Sequence, residues 1–397
     1  MPISVRSFAK INLGLGIGAL RGDGFHELRT VYQTIALHDV IRVSVGRGSG
    51  IEIRCEDPRV PKDESNTCYR IVERAMVALK ARGRVLIEIE KRLPVQGGLG
   101  GASGNAVAAL LALERALKKE LPGPERLRIA AEAGSDVPLF LVGGTVLGVG
   151  QGEEVYPLPD LPGISCVVAT PEIGVSTPKA FADWDLLVGS QGLKPGSFGV
   201  AGGTAEAVPF HVDANVSERS VTSEPVELRS TGTGEGARPH TSKAGGGGRP
   251  HTRSANGKLT VDAGSDRMVK FGRVLSAWLS GLSQGKRKTG RASSGVPVSK
   301  GRGRAETPLL DLVRTGIEND FERVVFPKYP ELREVKSVLE RAGAVYASLS
   351  GSGSATYGLF ASREAAVKAA DRLRKDGVPA TATTTLTRPQ YWKKIFD

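Results

Sequence analysis

Along the first 185 residues, short runs rich in valine and isoleucine alternate with segments whose apolar residues recur at helical spacing. Residues 40–45 and 51–55 are two such runs, and the glycines at 46–50 predict a turn joining them as a strand pair. Within 66–81, Ile71, Val72, Ala75, Met76 and Leu79 recur three to four residues apart and predict a helix. Residues 85–90, VLIEIE, alternate as a half-buried strand does. Residues 97–104 form a glycine loop, 105–118 an alanine- and leucine-rich helix with a basic end, and 125–133 a short helix stopped by Gly134. The unbroken apolar runs 137–142, 145–149 and 164–170 predict buried strands.

Near residue 190 this patterning dissolves. Glycine, serine and threonine dominate runs such as 231–236 and 245–248, and Arg-Pro-His-Thr occurs at both 238–241 and 249–252. Only 268–282 keeps apolar residues at helical spacing. The stretch 190–305 is too polar and glycine-rich to offset its ordering entropy by burial, and reads as a low-complexity insertion. From 306 onward periodicity returns: helices are predicted at 307–312, 317–325, 331–342 and 363–375. Strands are predicted at 345–349 and 356–360, around a Gly-Ser-Gly-Ser turn, and at 380–386. This succession of strands and helices predicts two compact α/β domains, at 1–150 and 151–397, the second interrupted by the insertion.

Charge sharpens the division. The chain has 54 Lys+Arg against 42 Asp+Glu, a net of +12. Residues 190–305 hold 18 of the basic and 8 of the acidic residues, a net of +10, so the remainder is near neutral. A nucleic-acid-binding role would therefore rest on the insertion alone, whose only aromatics are Phe198, Phe210, Phe271 and Trp278, too sparse for a stacking platform. Three cysteines make neither a paired framework nor a metal-ligand spacing, and the opening MPISVRSFAKINLGLG lacks the apolar core of a signal peptide. The longest uncharged apolar stretch, 137–150, is short and broken by glycine. A cytoplasmic protein without a membrane span is expected.

Four segments carry candidate chemistry. Residues 91–105, KRLPVQGGLGGASGN, place four glycines between a strand and a helix, where successive backbone N–H groups can form an anion nest at a helix N-terminus. Ser103 and Asn105 can cap that helix. The segment has no Gly-Lys-Ser/Thr ending, and Ser103 replaces the third glycine of G-x-G-x-x-G, so the two commonest phosphate loops are excluded; a structural turn is the alternative. Lys10 and Asn12, two apart on a strand, share one face, and His26 follows Phe25 in a glycine-bounded turn that could stack on a planar group. Asp136, in Gly-Ser-Asp-Val-Pro, suits a general base or a helix cap. Residues 349–356, LSGSGSAT, form a second glycine turn, either closing on a ligand or serving as a plain hairpin.

Taken in order, Lys-x-Asn, P-x-x-G-G-L-G-G-x-S, Gly-x-Asp-Val-Pro and Gly-Ser-Gly-Ser resemble the GHMP kinase superfamily, over residues 1–185 and 306–397. The opening AKINLGLGIGALRGDGFHELRTVYQTIALHD is similar to the branch acting on 4-diphosphocytidyl-2-C-methyl-D-erythritol, in the non-mevalonate route to isoprenoid precursors. The resemblance implies an α+β fold with a ribosomal-protein-S5-domain-2-like N-terminal domain and a ferredoxin-like C-terminal domain. It implies ATP and Mg²⁺ as cofactors, no metal ligand that can be named, and a monomer or homodimer. Asp136 would be the general base and Lys10 would stabilise the developing alkoxide. Pro94, Gly97, Gly98, Leu99, Gly100, Gly101, Ala102, Ser103 and Gly104 would hold ATP, with Asn66 near the nucleotide. Phe25, Tyr32 and Phe181 would flank the cytosine, His26 would read its edge and Asn12 would orient the erythritol. Phe25 stands where that branch often has tyrosine, and Gly104 where the loop often has a second serine. Another alcohol as acceptor is the alternative within the superfamily.

Overall fold

The computed structural model of the chain describes residues 1–192 and 318–396; the insertion and the helices predicted at 268–282 and 307–312 lie outside the described residues. Two sheets organise the rest. In the first, β1 (Ile3–Leu20) and β2 (His26–Gly46) form a long antiparallel pair. β2 also pairs with β4 (Arg84–Glu90) through residues 40–46 and with β5 (Thr145–Val149) through residues 30–33, and β5 continues to β6 (Glu154–Pro157). β3 (Ile51–Cys55) lies parallel to β4 on its far side. The strand pair expected across residues 46–50 is therefore not formed, because β4 occupies the edge of β2 that β3 would need.

Helices cover one face of this sheet. α1 (Thr67–Ala78) is capped by Asn66, whose side chain accepts from the Cys68 amide. α2 (Gly101–Leu117) is buried over most of its length, and α3 (Gly123–Ala133) and α4 (Val137–Val142) follow it. The run 137–142, expected as a strand, is helical. Six consecutive apolar residues carry no period to separate the two states, and Pro138 lacks a strand donor yet suits a helix's first turn. α2 begins at Gly101, four residues before its predicted start. Gly100 stands at its cap without a side-chain hydrogen bond, so neither Ser103 nor Asn105 is a cap.

The second sheet runs β10-β7-β9-β8, all antiparallel: β7 (Ser165–Ala169), β8 (Tyr346–Leu349), β9 (Thr356–Phe360) and β10 (Ala380–Thr384). α7 (Pro330–Arg341) and α8 (Arg363–Lys375) bury their apolar stripes on its outer face. Its inner face packs against β1: Ala9, Ile11 and Leu13 share a core with Val168, Tyr357 and Leu359. The alternation of a strand then turns Lys10 and Asn12 to the opposite side, away from that core. α5 (Thr177–Gly192) and α6 (Glu322–Lys328) close one end, with Trp184 and Phe321 packed on Leu15 and Ile17. Finally α9 (Arg388–Lys394), opened by a Thr387–Gln390 capping box, inserts Tyr391 into the first core, where its hydroxyl donates to the Phe140 carbonyl at 2.7 Å.

Candidate active site

β1 delivers Lys10 into the interior, 3% exposed. Its Nζ donates to Asn12 Oδ1 at 2.7 Å and stands 3.3 Å from Asp136 Oδ2. Asn12 Nδ2 in turn donates to Thr30 Oγ1 at 2.8 Å, and that hydroxyl donates to the Gly14 carbonyl, so the amide holds the lysine in place. Tyr32, fully buried on β2, donates its hydroxyl to Asp136 Oδ1 at 2.9 Å. Burial first, then the neighbouring carboxylate, hold that phenol well above its ordinary range, so it remains a donor. Asp136 precedes α4 but makes no capping bond, and its side chain is 32% exposed toward a cleft. A carboxylate steadied by an ammonium on one oxygen and a phenol on the other, yet open to a cleft, can accept a proton from a bound hydroxyl.

The glycine loop lies beside this cluster. Gly98 and Gly100 have φ of 72° and 69°, a region that favours glycine, and close approach leaves no room for a side chain at either. A Cβ on Gly98 would run into the Ser350 carbonyl, and one on Gly100 would press on Lys10 and Phe140. The loop's carbonyls are tied down: Lys10 N donates to Leu99 O at 2.9 Å, Ser350 Oγ to Gly98 O at 2.9 Å and Ala355 N to Gly97 O at 3.1 Å. The 350–355 turn is thus both a β8–β9 connection and a clamp on the loop. Asn319 secures that turn by donating to the carbonyls of Leu349 and Gly351 at 2.9 and 2.8 Å.

Two cavities flank the loop. One, of about 310 Å³, is lined by Pro94, Gly97–Ser103, Asn66 and Lys91 among others. With backbone amides at the start of α2 and a lysine on its wall, its chemistry suits a nucleotide polyphosphate. Lys91 is held by the buried Asp39 at 2.6 Å, and Asp39 also accepts from the Arg92 and Leu93 amides at 2.7 Å. Asn66 lines this cavity, but its side chain is spent on the α1 cap and on the Pro61 carbonyl. Gly104 is the exception among the expected loop residues. It faces inward, where a Cβ would meet Ser7 Oγ at 2.8 Å and the Phe8 carbonyl at 2.9 Å, and it does not line the cavity.

The second cavity, about 570 Å³, holds Lys10, Asn12, Tyr32 and Asp136 at one end and Phe25, His26 and Phe181 at the other. His26 stacks on Phe181 with ring centroids 5.2 Å apart and planes 3° apart, and Phe181 meets Phe321 edge-on at 5.0 Å. Phe25 is 56% exposed at the mouth. Tyr32, expected beside the cytosine with Phe25 and Phe181, lines the same cavity and has its hydroxyl on Asp136, the β1–β2 register setting it opposite Asn12. Both cavities include Gly98 and Gly100, so the loop is the wall they share. Among the described residues no three His, Cys, Asp or Glu side chains cluster to hold a metal ion.

Several residues of this site carried no readable signal. Asn319 and Thr177, whose hydroxyl meets Ser352 Oγ at 2.7 Å, act on a turn more than 30 and 170 residues away, respectively. Lys91 lay within the quoted glycine motif, and only Asp39, 52 residues earlier, reveals why it is fixed. Asp185, 3.1 Å from His26 Nε2, belongs to the same group.

The chain is similar to known proteins over most of its length. A family model described as the GHMP kinases N terminal domain matches residues 66–144, and the GHMP kinases C terminal model matches 306–379. A protein of Solibacter usitatus named 4-diphosphocytidyl-2-C-methyl-D-erythritol kinase is 32% identical over 372 residues, spanning 94% of this chain and 85% of that one. A protein of the same name from Rhodococcus jostii is 39% identical over 187 residues, 47% of this chain and 60% of its own length. A crystal structure of 4-(cytidine 5'-diphospho)-2C-methyl-D-erythritol kinase superposes with a TM-score of 0.58 at 26% identity, covering 96% of this chain and 98% of that one. A homoserine kinase from Cytophaga hutchinsonii, at 18% identity and a TM-score of 0.57, shares the fold.

Proposed function

The chain belongs to the 4-diphosphocytidyl-2-C-methyl-D-erythritol kinase family of GHMP kinases, and from that premise we propose that it transfers the γ-phosphoryl group of ATP to the 2-hydroxyl of 4-diphosphocytidyl-2-C-methyl-D-erythritol. The observation that carries this reading is the shared wall: a nucleotide-suited cavity and an acceptor cleft meet at Gly98 and Gly100, with Lys10 and Asp136 on the acceptor side. Phosphoryl transfer asks mainly for positioning and charge stabilisation, which backbone amides and one ammonium can supply.

Asp136 takes the proton of the acceptor hydroxyl, and Lys10, 3.3 Å from that carboxylate, stabilises the negative charge left on the oxygen. Asn12 acts on the substrate end through Lys10, since both ends of its amide are engaged. The 97–103 loop and the N-terminus of α2 hold the ATP phosphates, with Lys91 and Asn66 on the same wall. Phe25, His26 and Phe181 form the slot for the cytosine ring. Mg²⁺, when bound with ATP, neutralises phosphate charge.

We further assign the first sheet and α1–α4 to a ribosomal-protein-S5-domain-2-like lobe and the β10-β7-β9-β8 sheet with α7 and α8 to a ferredoxin-like lobe. The alternation of two helices with four antiparallel strands supports the second assignment. No helix among the described residues is long and apolar enough to cross a membrane, and a cytoplasmic enzyme fits the substrate.

Incubation with ATP and a panel of the diphosphocytidyl alcohol, homoserine, mevalonate and galactose tests the substrate. ADP should form with the first alone; equal turnover of any other would replace this reading with that of a sister kinase.

A further inference from the structure

His26 lies at the head of the acceptor cleft, yet both of its ring nitrogens are already engaged. Nδ1 is 3.1 Å from the Gly18 carbonyl and Nε2 is 3.1 Å from Asp185 Oδ1, while one face of the ring lies flat on Phe181. Held at both nitrogens and on one face, the buried imidazole is a wall of the slot, with no ring atom left over to read a base. The polar edge of the slot is supplied by its partner. Asp185 stands four residues after Phe181 on α5, so the helix sends both side chains to one face. Its side chain is 52% exposed and lines the cleft with Phe25 and Phe181. Asp183, two residues earlier, is directed elsewhere, to Lys328 at 2.5 Å. Among the described residues, Asp185 Oδ2 forms no hydrogen bond or ion pair, and it is the free acceptor beside the aromatic slot.

Cytosine and uracil differ at two adjacent positions of the pairing edge: cytosine offers an exocyclic amine donor beside a ring-nitrogen acceptor, uracil a carbonyl acceptor beside a ring N–H donor, and the exocyclic position is the one at issue here. An ionised carboxylate only accepts. We propose that Asp185 selects cytosine over uracil, its Oδ2 accepting from the exocyclic amine of the base while Oδ1 is anchored by His26. This rests on the reading of the cleft as the site of a pyrimidine-bearing substrate. It makes Asp185 the specificity-determining residue and His26 the side chain that positions it.

Calorimetric titration of the full chain with cytidine 5′-diphosphate and uridine 5′-diphosphate tests this, with the ATP cavity filled by a non-hydrolysable ATP analogue. The native chain should bind the cytidine nucleotide at least ~10-fold more tightly, the scale of a hydrogen bond to a charged group. Asp185→Asn, whose amide can also donate, should erase the preference by weakening cytidine binding and strengthening uridine binding. Asp185→Ala should weaken cytidine binding without strengthening uridine binding. A preference that survives in Asp185→Asn would overturn the proposal. So would equal loss for both nucleotides, the result expected if Asp185 merely steadies His26, or a native chain with no preference or no binding of either. Turnover of the diphosphocytidyl alcohol by the native chain, measured alongside, judges the kinase reading separately. Selective binding without turnover sinks that reading and keeps Asp185, and turnover without dependence on Asp185 does the reverse.

Discussion

Asp136 has its two oxygens held by different donors, Lys10 and Tyr32, and still faces the cleft. Exchange of its carboxylate for an amide removes the proton acceptor and keeps the shape. Asp136→Asn is therefore expected to lower kcat by at least ~100-fold, the lower end of general-base contributions, with an unchanged melting temperature. Lys10→Ala should likewise act on kcat more than on KM, and steady-state kinetics on both variants would expose an effect confined to KM. Lys10, Asn12 and Asp136 were legible in the sequence because strand periodicity and motif order single them out. Their partnership was not. Tyr32 and Asp136 are 104 residues apart, and only the register of β1 on β2 brings the phenol to the carboxylate. The same holds for Asn66, the first residue of the predicted helix at 66–81, whose side chain is taken by capping.

Among elements, those with a clear period were readable: α1, α7, α8, β4 and the β8–β9 pair stand within a few residues of where their apolar spacing puts them. Errors arose where no period exists or where a neighbour decides. Residues 137–142 form α4 because a proline opens a short apolar run, and β3 is displaced from β2 by β4, which comes later in the chain. The packing of α2 on β1 also accounts for Gly104, where the family pattern often has serine. A Cβ there meets Ser7 Oγ and the Phe8 carbonyl, and that buried Ser7 hydroxyl has no hydrogen-bond partner among the described residues. Gly104→Ser is expected to destabilise the chain by about 1–3 kcal/mol through overpacking. Ser7→Ala should be neutral or stabilising, since it removes a buried unpaired hydroxyl. The double variant should recover part of the loss, the Phe8 carbonyl remaining close. Denaturant melts of the four chains measure this coupling, and strictly additive effects would show that the two positions do not share the space.

At the scale of the whole molecule, the two cores bury groups that ionise only at high pH. Burial pushes the Cys68 thiol up to about 12, and raises Cys166, Tyr346, Tyr391, Tyr32 and Tyr357. Each keeps its proton in the folded chain at pH values where the unfolded chain, with ordinary values of 9.0 for cysteine and 10.0 for tyrosine, gives it up. Stability from these groups is complete below about pH 9 and declines as pH rises beyond it. Melting temperatures should fall steeply between about pH 9 and 11; a flat profile there would mean the phenols and thiols titrate without unfolding. Composition alone sets residues 190–305 apart, since +10 of the +12 net charge lies there. What composition could not convey is that the residues after the insertion complete the site, Asn319 and the 350–355 turn clamping the glycine loop. The two cavities sharing that loop make a single claim about the whole protein, that a nucleotide and an alcohol meet across it. Phosphorus NMR of the native chain with ATP, Mg²⁺ and 4-diphosphocytidyl-2-C-methyl-D-erythritol tests it most directly. One new phosphomonoester, coupled to the carbon bearing the 2-hydroxyl and formed in step with ADP while the substrate's own diphosphate stays intact, is the predicted spectrum. Inorganic phosphate as the only new signal, or no change in the alcohol, would contradict it.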